Sequence, residues 1–168
     1  MKLKDLKKLI FASMPIETSL KLQNIMRMGR PIDLKNPKSF NDKIQYRKLH
    51  DTNPLLALCS DKVLAKDYVA ERIGSEHVIP TLWHGKTLPP RSERNWARPY
   101  VLKANHMSGG NAFIRPGEDV NWDAVERLAA AWMAQDYRPD LFERHYDQIE
   151  RQLLVEPLIG ESCFLNDY

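Results

Sequence analysis

The residues best suited to chemistry lie in YVLKANHMSGGN, residues 100–111. Lys103 ends an apolar run, and His106, Met107, Ser108, Gly109, Gly110 and Asn111 follow it. Consecutive main-chain N–H groups in a glycine-rich turn form a concavity that suits an anion. A lysine on the adjoining strand adds a compact positive charge for phosphate oxygens. The segment matches neither GxxxxGK[ST] nor GxGxxG. An ordinary hairpin turn with an exposed lysine has the same composition. Two other places stand out. Asp61-Lys62 opens a helical stretch, with Asp as a cap and Lys as a surface charge. Glu156 sits inside the apolar run LLVEPLI, where a carboxylate is costly unless paired or hydrogen-bonded. It would accept from an amino group there, or reach water at a strand end.

A chain of 168 residues with 43% hydrophobic and 28% charged side chains suits a globular domain with a sizeable core. Wholesale disorder is excluded. No apolar run approaches the roughly 20 residues of a membrane span, and no secretory leader is expected. Net charge is +3, but it is unevenly spread. Residues 1–50 hold 12 Lys/Arg against 4 Asp/Glu, while residues 51–168 hold 13 against 18. A basic front on an acidic body points to an anionic membrane surface or an anionic polymer, or is simply a solvated lysine face. Nucleic acid is not expected, since the basic stretch lacks interleaved aromatics and any helix-turn-helix or finger pattern. Cys59 and Cys163 form no CxxC, and the five histidines show no metal-binding spacing. Together these features predict a cytoplasmic protein.

The elements that must position the candidates are legible from periodicity. Residues 2–12 place Leu3, Leu6, Leu9 and Ile10 on one stripe, a basic amphipathic helix that can lie on an anionic membrane or on its own domain. Residues 17–28 form a second helix, stopped by Gly29 and Pro31. Ser39 caps a third, from Phe40 to Leu49, with Asp42 completing a capping-box variant and Phe40, Ile44 and Leu49 facing inward. Asp61 caps a longer helix that ends at Gly74. HVIPTLW reads as a short β segment and residues 85–99 as a loop. PYVLKAN and AFIRP form a β-hairpin around the glycine turn. Asn121 to Gln135 is an amphipathic helix with Val125, Leu128, Ala129 and Trp132 on one stripe. Residues 140–150 read as helical, and LLVEPLI as a buried strand.

The order of these segments resembles the ATP-grasp superfamily: a DK helix leading to VIP, a VLK strand with a small-residue turn and return strand, then an apolar strand with one Glu. Residues 32–84 look like the TupA-like ATP-grasp family of polysaccharide and teichuronopeptide biosynthesis. NPKSFNDKIQYRKLHDTNP is similar to that family's N-terminal signature, and YVLKANHMSGGN to its phosphate loop. The resemblance spans about residues 30–168.

It implies an α+β fold: a basic helical region over 1–60, followed over 61–168 by the small nucleotide-contacting subdomain of an ATP-grasp. It implies ATP as ligand, with Lys103 on the α/β-phosphates and Lys62 as a second phosphate-side contact. His106, Ser108, Gly109, Gly110 and Asn111 would close over the phosphates. Glu156, with the backbone of Leu158 and Ile159, would read adenine. The activity implied is carboxylate–amine ligation, joining for example an amino acid to a sugar acid of a cell-surface polysaccharide. Peripheral contact with the inner membrane face through residues 2–12 fits that setting. Two positions depart from the pattern: Met107 stands where a small residue is usual, and Lys66 where Arg is frequent. The chain ends near Asp167-Tyr168, so the Mg²⁺ ligands are expected in an absent C-terminal half and the chain alone is expected to be inactive. A polysaccharide glycosyltransferase is the alternative, although no DxD-like motif is present. A non-enzymatic binding remnant is another.

Overall fold

The computed structural model describes residues 3–136 and 139–159. The expectations placed on Cys163 and Asp167-Tyr168 lie outside those residues. The elements are α1 (Leu3–Ser13), α2 (Ile16–Met28), α3 (Phe40–His50), α4 (Leu55–Ser60), α5 (Leu64–Ile73), β1 (Trp83–Gly85), β2 (Tyr100–Ala104), β3 (Asn111–Ile114), α6 (Trp122–Ala134) and β4 (Leu153–Pro157). They fall into two compact units. One comprises residues 1–56 and 136–148, the other residues 57–135 and 149–168.

The first unit is helical. α2 ends at Gly29, whose left-handed φ of 68° lets its N–H reach the Ile25 carbonyl at 2.9 Å. α3 begins with the predicted capping box. Ser39 Oγ accepts from the Asp42 N–H at 3.2 Å, and the Ser39 N–H donates to Asp42 Oδ2 at 3.3 Å. Arg30 braces both partners, donating to Asp42 Oδ1 at 3.1 Å and Ser39 Oγ at 2.7 Å. Ser39→Ala removes a cap and an Arg30 acceptor together. It is expected to cost about 1–2 kcal/mol in a urea melt, the upper part of the range for N-cap losses. An unchanged midpoint would show that the box contributes nothing.

Leu20, Ile32, Leu34 and Phe142 form this unit's core, with Leu49 packed on it. The inward placement of Phe40 is corrected, because its side chain is 77% exposed. Side chains on a helix tilt toward its N-terminus, so the first residue projects past the helix end rather than onto the flank that Leu49 occupies. The segment read as helical over 140–150 forms two short 3₁₀ helices, Pro139–Leu141 and Arg144–Gln148. In α1, Leu6, Leu9 and Ile10 are exposed.

The second unit is built on a four-stranded sheet of order β1-β4-β2-β3, antiparallel throughout. β4 comes last in sequence yet sits inside the sheet, so Leu153, Leu154, Val155 and Glu156 are buried on both faces. Strand alternation splits its residues. Leu102, Tyr100 and Ala104 of β2, Leu153 and Val155 of β4 and Ile114 of β3 join Ala129 and Trp132 of α6 in the main core. Lys103 and Glu156 fall on the opposite parity. The helix α6 is capped by Asn121 Oδ1, which accepts from the Ala124 N–H at 3.0 Å. Leu128, predicted inward, is 48% exposed, because only part of the stripe, Ala129 and Trp132, is deeply buried. HVIP is also corrected. Residues Ser75–His77 form a 3₁₀ turn, and the strand is confined to Trp83–Gly85, the residues that find partners on β4.

Candidate functional site

Register explains the first cluster. Val101 pairs with Glu156 and Lys103 with Leu154, so Lys103 and Glu156 are diagonal neighbours on one face of the sheet. The Lys103 ammonium donates to Glu156 Oε1. From α5, Lys66 donates to the other oxygen, Oε2, at 2.7 Å and to Thr81 Oγ1 at 3.1 Å. Glu156 is 4% exposed. Burial alone would push its carboxyl up, but hydrogen bonds and charge from Lys103 and Lys66 outweigh burial and hold it below the ordinary carboxylate value. Two cations therefore share one anion in a mostly enclosed place.

The second cluster ties α5 to the end of β2. Asp61 is buried and lies two residues before the N-cap position expected of it, which Val63 occupies; its Oδ1 accepts from the N–H groups of Val63 at 2.8 Å and Leu64 at 3.3 Å, so it braces the turn that leads into α5. Its Oδ2 accepts from Asn105 Nδ2 at 3.0 Å. Asn105, fully buried, also donates to the Glu150 carbonyl at 2.9 Å and accepts from the Gln152 N–H at 2.8 Å. Lys62 does not point to solvent. Its ammonium donates to the carbonyls of Ala104 at 2.9 Å, Asn105 at 3.3 Å and Met107 at 2.5 Å. A lysine has three N–H donors, so all are engaged. Burial lowers its pKa, and the Lys103 charge acts in the same direction. The charges of Asp61 and Glu156 oppose both.

The third part is the turn itself. His106 is buried, with Nδ1 facing Asn105 Oδ1 at 3.3 Å. Burial is the main cause that lowers its pKa. Ser108, Gly109 and Asn111 are exposed. Gly109 has φ +84° and open space where a Cβ would stand. Gly110 is buried; its carbonyl accepts from the Ala104 N–H at 3.0 Å, and a Cβ there would approach Met107 Sδ to 3.0 Å. Among the described residues no carbonyl accepts from the N–H groups of Ser108 and Gly109. Those two are free to meet an anion.

Beyond β4, the Leu158 N–H donates to the Pro99 carbonyl at 3.1 Å, and Ile159 is 68% exposed. Among the described residues no cluster of three or more His, Cys, Asp or Glu could hold a metal. The second unit therefore brings Lys62, Lys103, His106, Glu156 and the turn together on and around one strand, β2. It adds Lys66, Thr81 and Asn105, which spacing alone did not mark as site residues. Lys66 lies four residues beyond Lys62, one helical turn further on, and that interval was the available signal.

No curated protein and no solved structure gives a significant match to the chain. A family model described as TupA-like ATPgrasp matches residues 42–168. That span covers α3 from Asp42 onward, the Asp61-Lys62 pair, the glycine turn and the Glu156 strand. The chain belongs to the TupA-like ATP-grasp family.

Proposed function

We propose that the chain is the ATP-binding portion of a carboxylate–amine ligase that acts in cell-surface polysaccharide assembly. The observation that carries this reading is the concentration of Lys103 and Lys66 on a single carboxylate, beside a glycine turn with two open N–H groups. Preorganised cations and open N–H donors are what a triphosphate needs. Lys103 faces the phosphates, Lys66 supports it through Glu156, and Ser108 and Gly109 offer main-chain donors. Adenine lies against Leu158 and Ile159. Lys62 shapes the turn by holding three of its carbonyls. In such a ligation a carboxylate oxygen attacks the γ-phosphorus and ADP departs, then an amine displaces inorganic phosphate from the acyl phosphate. The described residues contain no carboxylate cluster for Mg²⁺, so no metal step is assigned to them.

The acceptor in this reading is a sugar acid of an anionic glycan. Exposed Leu6, Leu9 and Ile10 on a basic helix support peripheral contact with an anionic membrane. No helix among the described residues is long and apolar enough to cross a membrane.

The test is ATP binding to the full chain by calorimetry, beside Lys103→Ala and a UDP-sugar. ATP should bind, and Lys103→Ala should weaken it by roughly tenfold or more, the scale of one charge-assisted hydrogen bond. Equal affinity in the variant, or binding of the UDP-sugar alone, would overturn the reading.

A further inference from the structure

Helix α2 is built inside out. Its buried residues are Ser19, Leu20, Gln23 and Asn24, all on one helical face. Three of the four are polar, and they find partners within the helical unit. Gln23 Nε2 donates to Ser19 Oγ at 3.1 Å and to the Asp140 carbonyl at 2.8 Å, while Asn24 Nδ2 donates to the Arg30 carbonyl at 2.7 Å. The apolar stripe lies on the outside. Leu22, Ile25 and Met26 follow the i, i+3, i+4 spacing and, with Met28, are between 39% and 60% exposed. A helix that only packs on its own domain turns such a stripe inward. Turned outward over a polar inner face, it marks an interaction surface.

We infer that this face of α2 docks on an anionic lipid surface, with the helix lying among the headgroups. Charge selects the occupant. Residues 1–30 hold seven Lys/Arg against two Asp/Glu, and Glu17 is the only acid in α2. Lys21 stands on the outward face, one helical turn before Ile25. It lies 3.7 Å from Glu17, a loose pair between two exposed side chains. Its alkyl stem covers the stripe while its ammonium meets lipid phosphates. Arg27, exposed in the last turn, adds a second cation. Thirteen residues are too few to cross a bilayer, so the helix lies in the interface. A second copy of the chain would bring the same basic residues against this face, and like charges oppose that pairing. The inference concerns a different helix from the α1 contact proposed above. It needs neither that contact nor the nucleotide reading.

The experiment sediments the full chain with vesicles of phosphatidylglycerol or of phosphatidylcholine. Binding to the anionic vesicles should be roughly tenfold tighter or more, and the difference should shrink as salt rises from about 0.1 M to about 1 M. Combining Leu22→Ser, Ile25→Ser and Met26→Ser should weaken binding roughly tenfold or more, because three apolar side chains no longer enter the lipid. These positions are exposed, so the urea midpoint should hold. A fluorophore on Met26→Cys, with Cys59→Ser and Cys163→Ser, should be quenched by brominated lipid. Unchanged binding in the α2 variant, or an unquenched label on bound chain, would overturn the inference. If Leu6→Ser with Leu9→Ser and Ile10→Ser then abolishes binding, the α1 contact stands without it. The reverse pattern upholds the α2 surface and removes the α1 contact. Equal binding to both lipids, no binding to either, or a dimer in solution that the α2 variant dissolves would also overturn it.

Discussion

Glu156→Ala is expected to destabilise the protein by about 3–5 kcal/mol, the range for removing one partner of a buried ion pair. The cause is less the lost attraction than what remains. Lys103 and Lys66 would face each other in a partly buried place with no anion between them. At this chain length the melting temperature should fall on the order of 10 °C. Glu156→Gln keeps an acceptor of similar shape but not the charge, and should fall between the two. The pH dependence follows from the lowered carboxyl pKa. A carboxylate held below its unfolded value contributes stability that is present above that unfolded value, about 4.3, and is lost as pH falls through the folded value. The gap between wild type and Glu156→Ala should therefore be widest near neutrality and narrow in urea melts at progressively lower pH. A gap under about 1 kcal/mol at neutral pH would mean that water screens the lysines, as at a surface pair.

Local rules were sufficient wherever a feature is closed within a few residues. The Ser39/Asp42 box, the Gly29 stop and the glycine hairpin each depend on groups close in sequence, and each formed as read. Failures began where a distant segment decides the outcome. HVIP has β composition, yet a strand needs a partner, and the contact with β4 begins only at Leu82, whose N–H donates to the Val155 carbonyl, with strand pairing from Trp83. Periodicity also gave no hint that residues 136–148 belong with the N-terminal helices, because Phe142 enters that core across about a hundred residues of chain. At the site, the cost of burying Glu156 correctly demanded a partner, but not which one. Lys103 and Lys66 come from a strand and a helix, and only the sheet register and the position of α5 join them on one carboxylate. Lys62 shows the same limit. Its sequence context says only that a charge follows a helix cap, and its burial is fixed by the turn after β2.

That burial makes Lys62→Met the sharper experiment on the turn. Its three carbonyl acceptors would lose their common donor, and a thioether cannot replace it. At least the worth of one charged hydrogen bond should disappear, about 1.5–3 kcal/mol, and more where the freed carbonyls stay dry. Amide exchange should accelerate in the turn around Met107, whose carbonyl loses its Lys62 donor, and much less at Asn105, whose carbonyl keeps the Lys62 main-chain N–H at 3.3 Å and whose own N–H stays on the Gln152 carbonyl. A lysine that served only as a phosphate contact would behave differently: Met would leave stability and exchange unchanged and weaken ATP alone. The two roles therefore separate in protein without nucleotide. The pH response adds an independent check. Burial lowers the pKa of Lys62, so between its folded value and its unfolded value of about 10.4 the unfolded chain binds more protons. Stability attributable to Lys62 must rise with pH across that window. The deficit of Lys62→Met should then grow as alkaline melts approach pH 10, whereas a solvent-exposed lysine would give parallel profiles.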